Sequence, residues 1–296
     1  MTKNTNGVDL QGYFKRIGYN GAPAVDLQTL GDLLAYHVRA IPFENVTSFL
    51  GSPVDIEILA IEDKLVRHQR GGYCFEQNAL LRDVLQQIGF TVTGLAARVL
   101  WQTPPDHQPA QSHMILLVEI DGGPYLVDVG FGGNTLTAPL RLNSPNPQST
   151  PHGTYRFTRN GDGEDYLLQV RVEGIWRPMY SFDLRPRTGG DYKIANWFCC
   201  THPDSRFVQH LIAARAFSEG RHALVDRQLS YQPIVGPKSV IMLANIEELR
   251  RTLVDIFGIE VPTGAVADEK LRTIFLGKSE QRRGEDTGAL ISPVAL

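Results

Sequence analysis

Apolar residues recur at helical spacing through the first ninety positions. Leu10, Tyr13, Phe14 and Ile17 follow Asp9, and Leu27, Leu30, Leu33 and Leu34 follow Asp26, so each aspartate is placed to cap a helix. A third helical stretch, 61–66, runs into Arg70-Gly71-Gly72-Tyr73-Cys74, after which Leu80, Leu81, Val84, Leu85 and Ile88 restore the period until Gly89 ends it. The Gly-Gly loop therefore delivers Cys74 to the start of a helix. From about Thr91 the texture turns to strands over 95–101, 114–120 and 125–129, the last two joined through Asp121-Gly122-Gly123-Pro124 as a hairpin. Strand patterns continue at 154–159, 167–172 and 176–180, and Pro and Gly punctuation from Pro139 to Gly153 predicts a long surface loop. Beyond Asp204 the pattern mixes, with one clean helix in Ile246, Leu249, Leu253 and Ile256, opened by Asn245 and Glu248 at capping-box spacing. The tail from Lys278 to Leu296 is polar and weakly patterned.

Composition narrows the class. At 296 residues the chain is long enough to bury a sizeable core without disulfide staples. Apolar residues make up 42% and charged residues 21%, the profile of a folding globular chain rather than a disordered one. A net charge of −3 without a basic stripe argues against nucleic acid as a partner. The three cysteines, Cys74, Cys199 and Cys200, are too sparse for a disulfide framework. No signal-peptide core stands at residues 1–7, and the longest aliphatic run, 114–118, falls far short of the ~18 apolar residues of a membrane span. The expectation is a soluble, cytoplasmic protein without a membrane partner.

Three residues carry candidate chemistry. A thiol at a helix N-terminus lies near unpaired N–H groups and a positive dipole end, which favour the nucleophilic thiolate, and Gly71 and Gly72 leave the backbone free to take unusual angles and open space beside the sulfur. His113 begins one apolar strand and Asp128 ends the next, and antiparallel pairing across the hairpin brings the two within a few residues of each other. An Asp in an apolar strand needs a partner to offset desolvation, and an imidazole N–H is a natural one. Each has a plain structural reading, since cysteine is a common small core residue. Together they read as a Cys-His-Asp arrangement in which Asp128 orients His113 and His113 takes the Cys74 proton. The layout, nucleophile on a helix and then base and orienter on strands, also matches papain-like and transglutaminase-like enzymes.

Five ordered blocks sharpen this. Arg70-Gly71-Gly72-Tyr73-Cys74-Phe75-Glu76-Gln77-Asn78 resembles the active-site cysteine motif of the arylamine N-acetyltransferases. Tyr13 to Gly18, His37 to Asn45, Val127 to Gly132 and Thr201 to Phe207 are similar to further family blocks in the same order. The resemblance implies an α+β fold with a papain/transglutaminase-like cysteine core: a helical N-terminal bundle over 1–90, a β-barrel-like middle domain over 91–203 and an α/β C-terminal lid over 204–296. It also implies acetyl-CoA as cosubstrate, and small aromatic amines or hydrazines as acceptors in a ping-pong transfer through an acetyl-cysteine, an activity of xenobiotic metabolism.

By the same resemblance Cys74 is the nucleophile, His113 the base and acid, and Asp128 the orienter. Phe43, Val99, Phe131 and Phe207 line the acceptor pocket, and Gly132 and Gly133 offer backbone to the pantetheine arm. The Cys74 or Phe75 amide is the expected oxyanion donor. Glu44 and Arg16 are expected to make a structural contact near the site, as is Arg70. Cys199 and Cys200 depart from the smaller or hydroxylated residues common at these family positions, adding an oxidation-sensitive thiol. Cys199-Cys200-Thr201-His202 lacks a second pair at ligand spacing, so no metal is expected. The same triad would also serve an amide synthase acting on a longer acyl chain, a papain-like hydrolase, or an inert binding protein. The oligomeric state stays open.

Overall fold

The structure, a computed structural model, describes residues 7–104, 106–120, 122–159 and 165–276. The expectations for residues 1–6, for Asp121 in the hairpin turn and for the polar tail beyond 277 fall outside the described residues. The predicted N-terminal helices are present with their caps. Helix α1 (Leu10–Ile17) starts at Asp9, whose carboxylate accepts from Gln11 N–H at 3.1 Å, and ends at Gly18 with φ of 74°. Helix α2 (Leu27–Ala40) starts at Asp26, which accepts from Thr29 N–H at 2.7 Å. A two-residue strand β1 (Phe43–Glu44), a short α3 (Val46–Phe49) and α4 (Ile58–Glu62) follow. The last continues as a π-helical turn, Asp63–Arg67, so the predicted stretch at 61–66 is wider and less regular than its apolar period suggests. Helix α5 (Cys74–Ile88) is stopped by Gly89 at φ of 113°.

An antiparallel sheet of eight strands comes next: β2 (Thr91–Val99), β3 (Gln111–Ile120), β4 (Gly123–Val127), β5 (Leu140–Arg141), β6 (Gln148–Thr150), β7 (Gly153–Arg159), β8 (Tyr166–Val172) and β9 (Ile175–Phe182). Their spatial order is β5-β4-β3-β2-β9-β8-β7-β6. The two edges are clasped by the Gln148 amide, which accepts from Arg141 N–H at 2.8 Å and donates to the Arg141 carbonyl at 2.9 Å, so the sheet curls into a nearly closed barrel. The expected long loop at 139–153 is therefore not wholly loop. Two short strands lie within it, and Leu140 and Leu142 are buried. The unbroken apolar run of β3 is explained by burial on both faces. Met114, Leu116 and Val118 pack with the helices, whereas Ile115 and Leu117 fill the barrel.

Helix α6 (Gly189–Thr201) and the short α7 (Arg206–Gln209) return to the helical core, where Tyr192, Cys199 and Cys200 are buried with residues of α1, α2 and α5. The remaining chain forms β10 (Ile212–Ala216), β11 (Gly220–Val225), β12 (Gln228–Pro233), β13 (Ser239–Met242), α8 (Ile246–Thr252) and α9 (Ala265–Thr273). Its five-stranded sheet runs β1-β10-β11-β12-β13, with β1 supplied from the first fifty residues. At α8 only half of the predicted capping box closes as expected: Asn245 accepts from Glu248 N–H at 2.9 Å, but the Glu248 carboxylate takes the Ala244 N–H at 2.6 Å. Among the described residues no helix is long and apolar enough to cross a membrane.

Candidate active site

Cys74 is the first residue of α5 and is 3% exposed. Two neighbours fix the loop that delivers it. Strand β1 runs beside the loop, with Glu44 N–H donating to the Gly72 carbonyl at 3.1 Å and Gly72 N–H to the Pro42 carbonyl at 3.3 Å. The Gln77 side chain donates to the same two carbonyls, at 2.8 Å to Gly72 and 3.1 Å to Pro42. The glycines serve this packing. Neither Gly71 nor Gly72 has a positive φ, and a Cβ on Gly72 would stand 2.6 Å from a Glu76 oxygen. The expectation of unusual angles and open space is thus corrected: a side chain at either position would collide with Pro42, Glu44 or Glu76.

Behind the loop lies a buried charge cluster. Lys64 Nζ is 2.7 Å from Glu76 and 3.7 Å from Glu44, and Arg70 is 3.0 Å from Glu44. Glu76 also accepts the Tyr73 N–H at 3.0 Å, closing the start of α5. Burial would lower the Lys64 ammonium, but the two carboxylates outweigh it and raise it. Glu44 therefore pairs with Arg70 and Lys64, and the expected contact with Arg16 is absent. Arg16 instead spends its guanidinium on the carbonyls of Leu65 at 2.9 Å and Ala40 at 2.8 Å, orphan acceptors at helix ends.

His113 and Asp128 meet as an ion-pair geometry, Nε2 to Oδ2 at 2.7 Å, with both residues buried. The register explains how. Leu116 pairs with Val127, so one step further along the hairpin Asp128 stands level with Ile115, two residues from His113 on the same face. Asp128 Oδ1 accepts from Asn78 at 3.0 Å and from Gly130 N–H at 2.9 Å. Burial would raise this carboxyl, but the adjoining imidazole, the Asn78 amide and the Gly130 N–H outweigh it and hold it below its ordinary value. Asn78 lies four residues after Cys74 and donates also to the Met114 carbonyl at 2.8 Å. One α5 side chain thus ties the helix that carries the thiol to the strands that carry the pair.

Burial pushes the Cys74 thiol well up, and the neighbouring Cys199 thiol adds to this, while the Met114 and Phe75 N–H groups pull it down. The helix-start donors expected to favour the thiolate are present, but desolvation exceeds them. Burial therefore works against the thiolate at this position.

The four predicted acceptor-pocket residues fall into two contact groups. The Phe131 ring lies 5.3 Å from His113 and 5.4 Å from Tyr180, and Val99 pairs with Tyr180 across β2 and β9. Phe43 is 5.9 Å from Phe207, which is 5.2 Å from Tyr73. Gly132, at φ of 91°, lies against the Phe43 ring, and Gly133 gives its carbonyl to Arg221 at 2.8 Å. Asn78, Gln77, Tyr180 and Arg221 carry no role in the sequence reading. The first has a readable signal, the i,i+4 spacing from Cys74 on a helix, whereas Tyr180 and Arg221 arrive through tertiary packing alone. Among the described residues no three His, Cys, Asp or Glu side chains gather as a metal site.

A family model described as N-acetyltransferase matches residues 26–266. The arylamine N-acetyltransferase of Mycolicibacterium smegmatis is 42% identical over 269 residues, covering 90% of this chain and 97% of the relative. The chain belongs to the arylamine N-acetyltransferase family. The Escherichia coli family member is 43% identical over 211 residues, covering 71% of this chain and 74% of its own length. The Mycobacterium marinum arylamine N-acetyltransferase superposes with a TM-score of 0.86 at 41% identity, over 90% of this chain and 99% of that one. The same enzyme in complex with CoA gives 0.85, again at 41% identity and over 90% and 99% of the two chains.

Proposed function

We propose that this protein moves an acetyl group from acetyl-CoA to the nitrogen of arylamines and arylhydrazines, through an acetyl thioester on Cys74. The observation that carries the assignment of residues is the buried His113–Asp128 pair at 2.7 Å, roped by Asn78 to the helix that begins at Cys74. Asp128 occupies Nε2 of His113, which leaves Nδ1 as the ring nitrogen that would take the Cys74 proton. His113 takes the Cys74 proton, the thiolate attacks the thioester carbonyl, and the proton returns to the departing CoA sulfur. Exchange of one thioester for another is nearly balanced. Amide formation then drives the cycle: the amine attacks acetyl-Cys74, His113 accepts its proton, and the thiol is regenerated. The Phe75 N–H at the helix start is the donor suited to the developing oxyanion.

An apolar acceptor pocket of Phe43, Val99, Phe131 and Phe207 favours aromatic amines, which are weak bases and uncharged near neutral pH, over protonated alkylamines. Foreign aromatic amines fit this acceptor class. Backbone at Gly132 and Gly133 is offered to the pantetheine arm, and three free thiols suit a cytoplasmic, reducing setting.

The test is intact-protein mass spectrometry after mixing with acetyl-CoA, with and without an aromatic amine such as an aminosalicylate, and with Cys74→Ala as control. One acetyl adduct that disappears on adding amine is the expected result. An adduct formed only from longer acyl donors would replace this reading with an amide synthase, and an adduct lost rapidly in buffer alone would replace it with a hydrolase.

A further inference from the structure

Cys199 is a buried thiol that acetyl transfer does not use, yet it sits against the nucleophile. Its Sγ and that of Cys74 converge on one acceptor, the Ser112 carbonyl oxygen, at 3.8 and 3.9 Å. Two sulfurs that share one acceptor at these distances are at most about 7.7 Å apart, and Cys199 is close enough to act electrostatically on Cys74. The adjacent Cys200 is directed elsewhere, its Sγ 3.8 Å from the Trp197 carbonyl in the preceding turn of its own helix. Helix α6 holds Cys199 in place through three bonds to its surroundings. Asn196 accepts from the Tyr73 hydroxyl and donates to the Val54 carbonyl at 2.9 Å, and the Tyr192 hydroxyl donates to the Leu95 carbonyl at 3.1 Å.

We propose that Cys74 and Cys199 form an oxidative modification site, in which hydrogen peroxide oxidises Cys74 and Cys199 closes an intramolecular disulfide that switches transfer off reversibly. In the first step the Cys74 thiolate attacks a peroxide oxygen, the O–O bond breaks, and Cys74 sulfenic acid and water form, His113 supplying the proton. In the second, the Cys199 sulfur displaces the hydroxyl from the Cys74 sulfur, and its own proton leaves with that hydroxyl as a second water. Two thiols are oxidised and one peroxide is reduced to two waters. Burial raises both thiols, Cys199 to about 12 with Cys200 adding to it, and Cys74 is the one that the transfer reading provides with a base, His113, so Cys74 meets the oxidant first. The disulfide occupies the sulfur that would otherwise proceed to the irreversible sulfinic acid.

The proposal rests on Cys74 being the reactive thiol of the transfer reaction. The test therefore begins with the acetyl adduct on the untreated full chain, then exposes wild type, Cys199→Ser and Cys200→Ser to a few equivalents of hydrogen peroxide. Intact mass, peptide mapping and activity after dithiothreitol are read, with Cys199→Ala replacing the serine variant where that one does not fold. Wild type and Cys200→Ser are expected to lose about 2 Da, join the peptides containing Cys74 and Cys199, and regain activity on reduction, whereas Cys199→Ser gains about 32 Da at Cys74 and stays inactive. Equal yields of sulfinic Cys74 in wild type and Cys199→Ser, or a cross-link that maps to Cys200, would overturn the proposal. A missing acetyl adduct before oxidation would count against the transfer reading itself; an adduct without a cross-link would count against the disulfide alone.

Discussion

Gly130 lies directly against the start of the thiol helix. A Cβ built there would lie 2.5 Å from Cys74 Cα, 3.0 Å from Asn78 Nδ2 and 3.2 Å from Cys74 Cβ. The nearest of these is helix backbone, which cannot swing aside as a side-chain tip can. Ordinary contact begins at 3.4 Å, so Gly130→Ala must separate the two elements by about 0.9 Å. Moving α5 outward draws Cys74 and Asn78 from the pair; moving the 128–131 segment instead takes Asp128 away from Asn78. A displacement of that size at a reacting centre costs roughly 100-fold in rate, and overpacking costs about 1–3 kcal/mol in stability. The assays are kcat/KM for acetyl transfer to an arylamine and the rate of Cys74 alkylation by iodoacetamide, both on protein shown by its urea midpoint to be folded. Gly189→Ala is the control, because a Cβ there meets nothing within 4 Å. A folded Gly130→Ala protein with wild-type kcat/KM and alkylation rate would refute the reasoning that this contact sets the spacing between Cys74 and the His113–Asp128 pair.

Two further outcomes follow from the buried network around the loop. His37 is sealed between the Tyr13 hydroxyl at 2.9 Å and Gln77 at 3.1 Å. Because Gln77 gives its NH2 to Pro42 and Gly72, its oxygen must accept from His37 Nε2–H, leaving Nδ1 to accept from Tyr13. Burial lowers His37 from 6.5 to about 3. The unfolded chain therefore binds a proton that the folded chain refuses, and stability is full above pH 6.5 and falls as pH drops toward 3. The loss from this residue by pH 5 is roughly 2 kcal/mol, and urea midpoints at pH 7 and pH 5 should show it in wild type but not in His37→Gln; equal slopes would remove His37 as the cause. Lys64→Met leaves the buried carboxylates of Glu44 and Glu76 without their shared cation and should cost about 3–5 kcal/mol. The double variant Lys64→Met/Glu76→Gln should recover much of that loss in the same denaturation assay, and no recovery would mean the cost is not electrostatic.

The helix starts at Asp9 and Asp26 and the places of six barrel strands along the chain were legible because caps and apolar period are local signals. So was the meeting of His113 with Asp128, since a short hairpin permits few registers. The π-helical turn at 63–67 and the strands hidden in 139–153 were not, because a single widened turn, or two or three residues of pairing, leaves no periodicity to read. The glycines before Cys74 were correctly placed but wrongly explained. Close packing against Pro42, Glu44 and Glu76 excludes their side chains, and sequence alone does not distinguish that from a need for positive φ. Asn78 stood inside the cysteine motif at helical spacing from Cys74, and its task became visible only when Asp128 and the Met114 carbonyl were found on its other side.

What the sequence by itself determined is the local elements around the site and their family: a cysteine at a helix start, a histidine on one strand and an aspartate just after the next, and the blocks shared with the family. Tertiary structure alone decided how these act together. Strand β1 pairs with β10 more than 160 residues away, Phe43 opposite Ala214, and so ties the loop before Cys74 to the C-terminal sheet. Helix α6 brings Cys199 to the carbonyl that Cys74 faces, and burial reverses the electrostatic bias that the helix start alone would give the thiol. Desolvation and long-range contact depend on what surrounds a residue in space, and the neighbouring letters of the chain do not carry that information.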